Sequence, residues 1–370
     1  MMRRLLRGGA TGSGKPSTLL WVLSLCAVLA LVAAGSWHAG ERARGTTYLG
    51  STRFDTAQAY WEKEIKLKGV SESVDELIET GNTLSPPREA HVLAHAFGSA
   101  LYAVNGLKSL SDCPDAFFWG CAHQFIGEAL VRDGLAVIPK LFSACGSESP
   151  EKRACMHSIG HGLVGYFGYE EEPLNDALSL CYSYSTSTYG GCLAGSFMEY
   201  NLRFLSLADL DGTLDVRTVD QRHLYEPCIS SIDEPFRTAC ASELPRWWYF
   251  AAWADKDFAS VAGEVGSRCS GISEGLRRAC FEGLGTFASF STSADVNPER
   301  AIAICSGLEQ PALERLYCTT GVVLHMNYWN MPGYMDVCGR SGFDGEYLRY
   351  CESYASTEIE ELGSISPPSP

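Results

Sequence analysis

From about residue 55 onward, apolar positions recur with a helical period, and the periodic segments stop or start at cysteines. Two polar-faced helices are predicted over 55–68 and 71–84. Ser85-Pro86-Pro87-Arg88-Glu89 then supplies a cap, a first-turn proline and an acidic start for a stronger helix through Tyr102. Beyond it the pattern alternates. Segments such as "LAVIPKLFSAC", "PLNDALSLC", "FASVAGEVGSRC" and "NPERAIAIC" read as helix ends. After a polar loop, "CAHQFIGEALV", "CMHSIGHGLVGYF", "CLAGSFMEYNL", "CFEGLGTFASF" and "CTTGVVLHM" read as helix starts. The stretch 201–227 interrupts the pattern as an insertion, and the Pro/Ser-rich tail 361–370 is expected to be disordered.

The cysteines turn this alternation into a repeat. Setting Cys26 aside, fourteen remain, in the order Cys113/Cys121, Cys145/Cys155, Cys181/Cys192, Cys228/Cys240, Cys269/Cys280, Cys305/Cys318 and Cys338/Cys351. Pair members are 8 to 13 positions apart and first cysteines recur every 32 to 47 residues, the period of two-helix units. Local pairing is predicted, each disulfide joining the end of one helix to the start of the next. No C-x₂-C spacing occurs, which disfavours cysteine–zinc sites. Glycines follow most second cysteines (Gly127, Gly160, Gly195, Gly283, Gly285 and Gly321). In helices they imply close packing of neighbouring backbones. Helix–cysteine–loop–cysteine–helix units of this kind, over about residues 85–355, resemble disulfide-bridged Sel1-like repeats of the tetratricopeptide class. That resemblance implies a right-handed α/α superhelix and brings no catalytic residue with it.

At the N-terminus, Arg3, Arg4, Arg7 and Lys15 precede an apolar run from Thr18 to Ala34. The order predicts a signal anchor with the rest of the chain outside the cytoplasm, where disulfides form. The expected organisation is a basic cytoplasmic segment (1–17), a membrane helix (18–36), a linker with leading helices (37–84), the cysteine-paired helical domain (85–360) and the tail (361–370). The membrane enters as a partner through that one helix. Gly9 to Lys15 imitates a phosphate-binding loop, but Pro16 replaces the Ser/Thr that the metal contact needs. A net charge of −15 argues against nucleic acid as a partner.

Five of the eight histidines fall between His91 and His161, in "HVLAH" and "HSIGH" with His123 between them. Counted from each second cysteine, His123 and His157 are at +2 and His161 at +6. If Leu93 stands in for the cysteine of the unit before Cys113, His95 is at +2 and His91 at −2. At about 100° per residue these positions lie roughly 160° to 240° from the cysteine. His91, His95, His123, His157 and His161 should therefore share one inner band opposite the disulfides. Imidazoles without free thiolates suit zinc, iron or copper rather than Mg²⁺ or Ca²⁺. Glu128 and Glu199, at +7, are expected to face away from the band. Glu282 at +2 is the one acidic residue in register and the candidate catalytic carboxylate; Ser242, Thr320 and Ser353 share its position, and Arg246 is at +6. His38, His223 and His325 are expected to be ordinary packing or surface residues, and Trp247, Trp248, Tyr249 and Phe250 to pack or line a groove. The expected function is an extracytoplasmic, membrane-anchored, metal-dependent enzyme of hydrolase or oxidase/oxygenase type. The alternatives are a non-catalytic scaffold taking a protein or peptide partner in its concave groove, and metal storage or transfer.

Overall fold

The computed structural model describes residues 54–85, 87–145, 150–206, 215–291, 298–357, 365, 366 and 368. The predicted membrane helix, the phosphate-loop-like run, Cys26 and His38 lie outside them. Among the described residues no helix is long and apolar enough to cross a membrane.

The described residues form α-helices and short 3₁₀ turns, with no strand. In chain order the helices are α1 (Phe54–Lys68), α2 (Val70–Gly81), α3 (Pro87–Asn105), α4 (Gly120–Asp133), α5 (Ile138–Cys145), α6 (Pro150–Phe167), α7 (Glu171–Tyr182), α8 (Cys192–Leu202), α9 (Arg237–Ala252), α10 (Phe258–Gly271), α11 (Glu274–Ser291), α12 (Pro298–Ser306), α13 (Ala312–Tyr328), α14 (Val337–Arg340) and α15 (Gly345–Ser356). They make two layers. In the inner row α3, α4, α6, α8, α9, α11, α13 and α15 each pack against the next; α5, α7, α10, α12 and α14 lie outside and brace them.

All seven predicted disulfides are present: Cys113–Cys121, Cys145–Cys155, Cys181–Cys192, Cys228–Cys240, Cys269–Cys280, Cys305–Cys318 and Cys338–Cys351, with Cα–Cα distances of 5.3 to 5.6 Å. Twelve of the fourteen cysteines are buried between the layers, all but Cys113 and Cys155.

The placement of these cysteines on the helices differs from the sequence expectation in two respects. First cysteines are predicted to end helices. Cys145, Cys181, Cys269 and Cys305 do lie in the last turns of α5, α7, α10 and α12, and Cys338 lies in the short α14. Cys113 and Cys228 do not; a 3₁₀ turn (Leu107–Asp112) and irregular chain precede them. Second cysteines are predicted to open helices, and that holds only for Cys192, the first residue of α8. Cys121, Cys155, Cys240, Cys280, Cys318 and Cys351 instead lie inside helices already begun, at Gly120, Pro150, Arg237, Glu274, Ala312 and Gly345 respectively. The polar stretches before them, such as Glu274 to Arg278, consist largely of good helix formers that present a wet face and so extend the helix rather than the loop. Cys240, Cys280, Cys318 and Cys351 thereby brace the first or second turn of their helices, set back from the helix end.

The glycines set the inner spacing. A Cβ on Gly160 would lie 2.0 Å from the Cys192 carbonyl oxygen, and one on Gly195 1.9 Å from that of His157. The same reciprocal pair recurs between α11 and α13, where Gly285 faces Cys318 and Gly321 faces Glu282 at 1.8 and 2.0 Å. Position +5 of one unit thus meets the cysteine backbone of the next, and position +3 meets the +2 backbone of the unit before. Only glycine permits that approach.

The row also curls onto itself. Trp329, just past α13, stacks on Trp119 with centroids 6.2 Å apart, and Arg153 Nη1 donates to the Tyr328 carbonyl. Tyr189, before α8, donates to Glu282 on α11. Of the predicted disordered tail, the Ile365 carbonyl accepts from Arg278 Nη1 at 3.0 Å.

Candidate metal centre and cavity

Inside the curl lies a cavity of about 790 Å³. Its walls come from positions −2, +2, +6 and +10 of successive inner helices, a four-residue stripe. His91, His123, His157, Ala194, Met198, Ser242, Arg246, Thr286 and Phe290 all belong to it. The predicted inner band is therefore a real surface, but the open groove expected from helical repeats is bridged here by aromatic residues. Phe118 packs on Phe290 at 5.5 Å beside the Trp119–Trp329 stack. Phe117, Phe118 and Trp119 all have positive φ (55°, 53° and 62°), a conformation that costs side-chain-bearing residues energy.

The five histidines converge at one end. His91, His95 and His123 form one group of potential ligands and His123, His157 and His161 another; within each group the donor atoms lie within 4.8 Å of one another. The i, i+4 pairs are in ring contact. His91 Nε2 is 3.0 Å from His95 Nε2, and His157 Nε2 is 3.1 Å from His161 Nε2.

Three of the five outer nitrogens are tied down. His91 Nδ1 donates to the Phe117 carbonyl at 2.7 Å and His157 Nδ1 to the Gly190 carbonyl at 3.1 Å. His161 Nδ1 donates to Glu199 Oε2 at 2.8 Å. The other Glu199 oxygen accepts from the Tyr169 hydroxyl at 2.6 Å and the Leu205 amide at 2.9 Å, which opposes but does not cancel the rise that burial imposes on it. With Glu199 ionised, His157 and His161 both carry their proton on Nδ1, so two bare Nε2 lone pairs face each other. No hydrogen bond joins them in that state. Two imidazole nitrogens sharing a tetrahedral ion at ~2.0–2.1 Å stand about 3.3 Å apart, close to this spacing. His123 Nδ1 is buried without a hydrogen-bond partner. The donor set thus fits a transition-metal ion. Phe204 closes the cluster from the turn after α8, its ring 5.6 Å from both His91 and His161.

Burial keeps these imidazoles neutral, the form a metal needs. Desolvation lowers His91, and lowers His95, His123 and His161 well below the usual range, with neighbouring histidines adding to the effect for the last three. Burial likewise brings His157 down to about 4 and His325 to about 3. Unfolded histidine takes up a proton near pH 6.5, whereas these folded ones resist it. Their contribution to stability is therefore complete above pH 6.5 and lost as pH falls through the folded values, by about 1.4 kcal/mol per pH unit for each proton taken up. Glu199, raised by burial to about 7, and Glu243, also raised by burial, act in the opposite sense but are two groups against six. Denaturant unfolding of metal-free protein should show stability dropping steeply between pH 6.5 and 4.5; a flat profile would mean the cluster is not neutral when folded.

Glu199 corrects the sequence expectation. Its register predicts that it faces away from the histidines, yet it is the hydrogen-bond partner of His161 and, like it, fully buried. The angle on its own helix is not at fault. Position +7 lies on the flank that packs against the preceding inner helix, where it meets that helix's +6 residue. Glu128 makes the same contact with Ser99, at 3.0 Å, and so does turn from the histidines.

Glu282 is buried and engaged. It accepts from Arg278 Nε at 2.8 Å and the Tyr354 hydroxyl at 2.7 Å as well as from Tyr189, and it is not among the residues lining the cavity. Trp247 and Trp248 are core residues donating to the Arg217 and Leu224 carbonyls, while Phe250 does line the cavity. His325 is buried in the cavity wall and His223 is exposed.

Fold and site together describe a disulfide-braced helical array with a histidine cluster at the end of a cavity. No protein-family model matches the chain, and neither curated proteins nor solved structures provide a match.

Proposed function

We propose that the protein is a metal-dependent enzyme acting outside the cytoplasm, anchored by residues 18–36. His91, His95, His123, His157 and His161 hold zinc, iron or copper, and a substrate occupies the adjoining cavity. The observation that carries this is the His157–His161 contact, two Nε2 atoms 3.1 Å apart whose opposite nitrogens are already committed. A bound ion would supply Lewis-acid or redox chemistry. The chain's own residues orient the imidazoles, keep them unprotonated and exclude bulk water. Glu199 is a positioning residue, since a carboxylate on the far nitrogen of a ligating histidine holds its tautomer and raises its basicity. The two triads have His123 in common, so His91 and His95 at one end and His157 and His161 at the other would each hold an ion, with His123 available to either. Seven disulfides support the oxidising compartment.

Elemental analysis of protein folded under oxidising conditions tests this. Two equivalents of transition metal per chain are expected. The double substitution His157→Ala/His161→Ala should remove one and leave the His91 end loaded. Glu199→Gln should weaken metal binding by about 10–100-fold with the fold intact. Metal-free wild-type protein that takes up no added zinc, iron or copper would overturn the proposal.

A further inference from the structure

The cavity wall contains one feature that the metal centre does not use. Arg246, at +6 on α9, lines the cavity with 11% of its side chain accessible. Its guanidinium lies over the rings of Phe287 and Phe290, 5.8 and 5.5 Å from their centroids. Arg246 Nη1 is 3.1 Å from Glu243 Oε2, but off the line of a hydrogen bond. Both of those atoms, together with Arg246 Nε, are buried without a hydrogen-bond partner. A guanidinium withdrawn from water into an aromatic wall is costly unless an acceptor completes it. Much of the remaining wall is apolar, including Val92, Phe118, Met198, Phe250, Phe290 and Leu324.

We infer that the cavity binds an apolar molecule bearing one carboxylate, with the carboxylate on Arg246 and the hydrocarbon body against Phe118, Phe250 and Phe290. A planar carboxylate suits the guanidinium fork, and the pair is stronger than a neutral hydrogen bond. Burial raises Glu243, with the Arg246 charge opposing. The volume lies within the range of small-molecule sites. The Arg246 charge also reaches the histidines, where it contributes to lowering His157 and His161. That the bound molecule is the substrate of the metal centre rests on the function proposed above; its binding does not.

Calorimetric titration of the full chain, stripped of metal by a chelator, with decanoate, decanol and decylamine separates the two ideas. Decanoate should bind at least ~10-fold more tightly than decanol, and decylamine should not compete with it. Arg246→Gln should abolish the preference for the acid, and Arg246→Lys should restore part of it. Equal affinity for acid and alcohol, tighter binding of the amine, or an unchanged preference in Arg246→Gln would overturn the inference. So would no binding of any of the three. If Arg246→Gln does not fold, the selectivity of the wild-type chain decides alone. Because the measurement is made without metal, its failure leaves the metal proposal standing. Absence of metal binding, in turn, would leave this one standing.

Discussion

Gly195→Ala is expected to destabilise the protein by about 2 kcal/mol and to disturb the metal centre, although alanine is the better helix former. Helix propensity favours the substitution by ~1 kcal/mol. The new Cβ would lie 1.9 Å from the His157 carbonyl oxygen, a backbone atom that cannot swing aside, so α6 and α8 must separate. Overpacking of this kind costs about 1–3 kcal/mol or more, and here it outweighs the propensity gain. Separation also moves Glu199, on α8, away from His161 on α6. Two comparisons isolate the cause. Gly285→Ala, whose Cβ would lie 1.8 Å from the Cys318 carbonyl oxygen, should be equally damaging to stability yet leave the metal content of the folded protein intact. Gly263→Ala, on an exposed face of α10 with nothing within 4 Å, should stabilise by ~0.5–1 kcal/mol. Urea unfolding with metal analysis reads all three; a stable Gly195→Ala would show that the inner helices are not held this close.

Full reduction of the disulfides is expected to unfold the chain at room temperature. Each closes a short loop of 8 to 13 residues and contributes about 2–3 kcal/mol in the loop-entropy account. Seven together contribute roughly 15–20 kcal/mol, more than the ~5–15 kcal/mol net stability of ordinary domains. Circular dichroism before and after reduction, with thiol titration confirming that every bridge has opened, checks this. Helicity and melting temperature that survive reduction would mean that the two layers cohere by packing alone. Position matters as well. Loss of Cys181–Cys192 frees the start of α8, which carries Gly195 and Glu199, and should reduce metal affinity. Loss of Cys338–Cys351, at the far end of the row, should lower stability without touching the metal.

How much of this is legible in advance depends on sequence distance. Cysteine pairing is legible because each partner is the next cysteine along the chain, joined to it by a loop too short to reach elsewhere. Where the helices begin is less so: the residues ahead of Cys240 and Cys280 are polar enough to read as loop, yet polar residues on a wet face extend a helix as readily as a loop. The histidine band is legible for a related reason to the pairing: a helix converts a count from the cysteine into an angle, and the inner helices repeat the same angle. Glu199 escapes that count, which says where a side chain leaves its own helix and nothing about what the neighbouring helix offers there. The same contact falls to Ser99 in one unit and to His161 in another. Glu282 is equally available by register, but Tyr189, Arg278 and Tyr354 occupy its oxygens, and two of those three are more than seventy residues away.

Local spacing and helical period suffice to specify an all-helical, disulfide-braced chain and the face on which its histidines lie. That this face surrounds a cavity, that Glu199 backs His161, and that Arg246 stands beside Glu243 in the wall with Nε and Nη1 lacking a hydrogen-bond partner all come from the packing of distant helices. Those outcomes depend on how far the row of helices curls. Its curvature is the sum of many glycine-spaced backbone contacts, and no single stretch of sequence contains it.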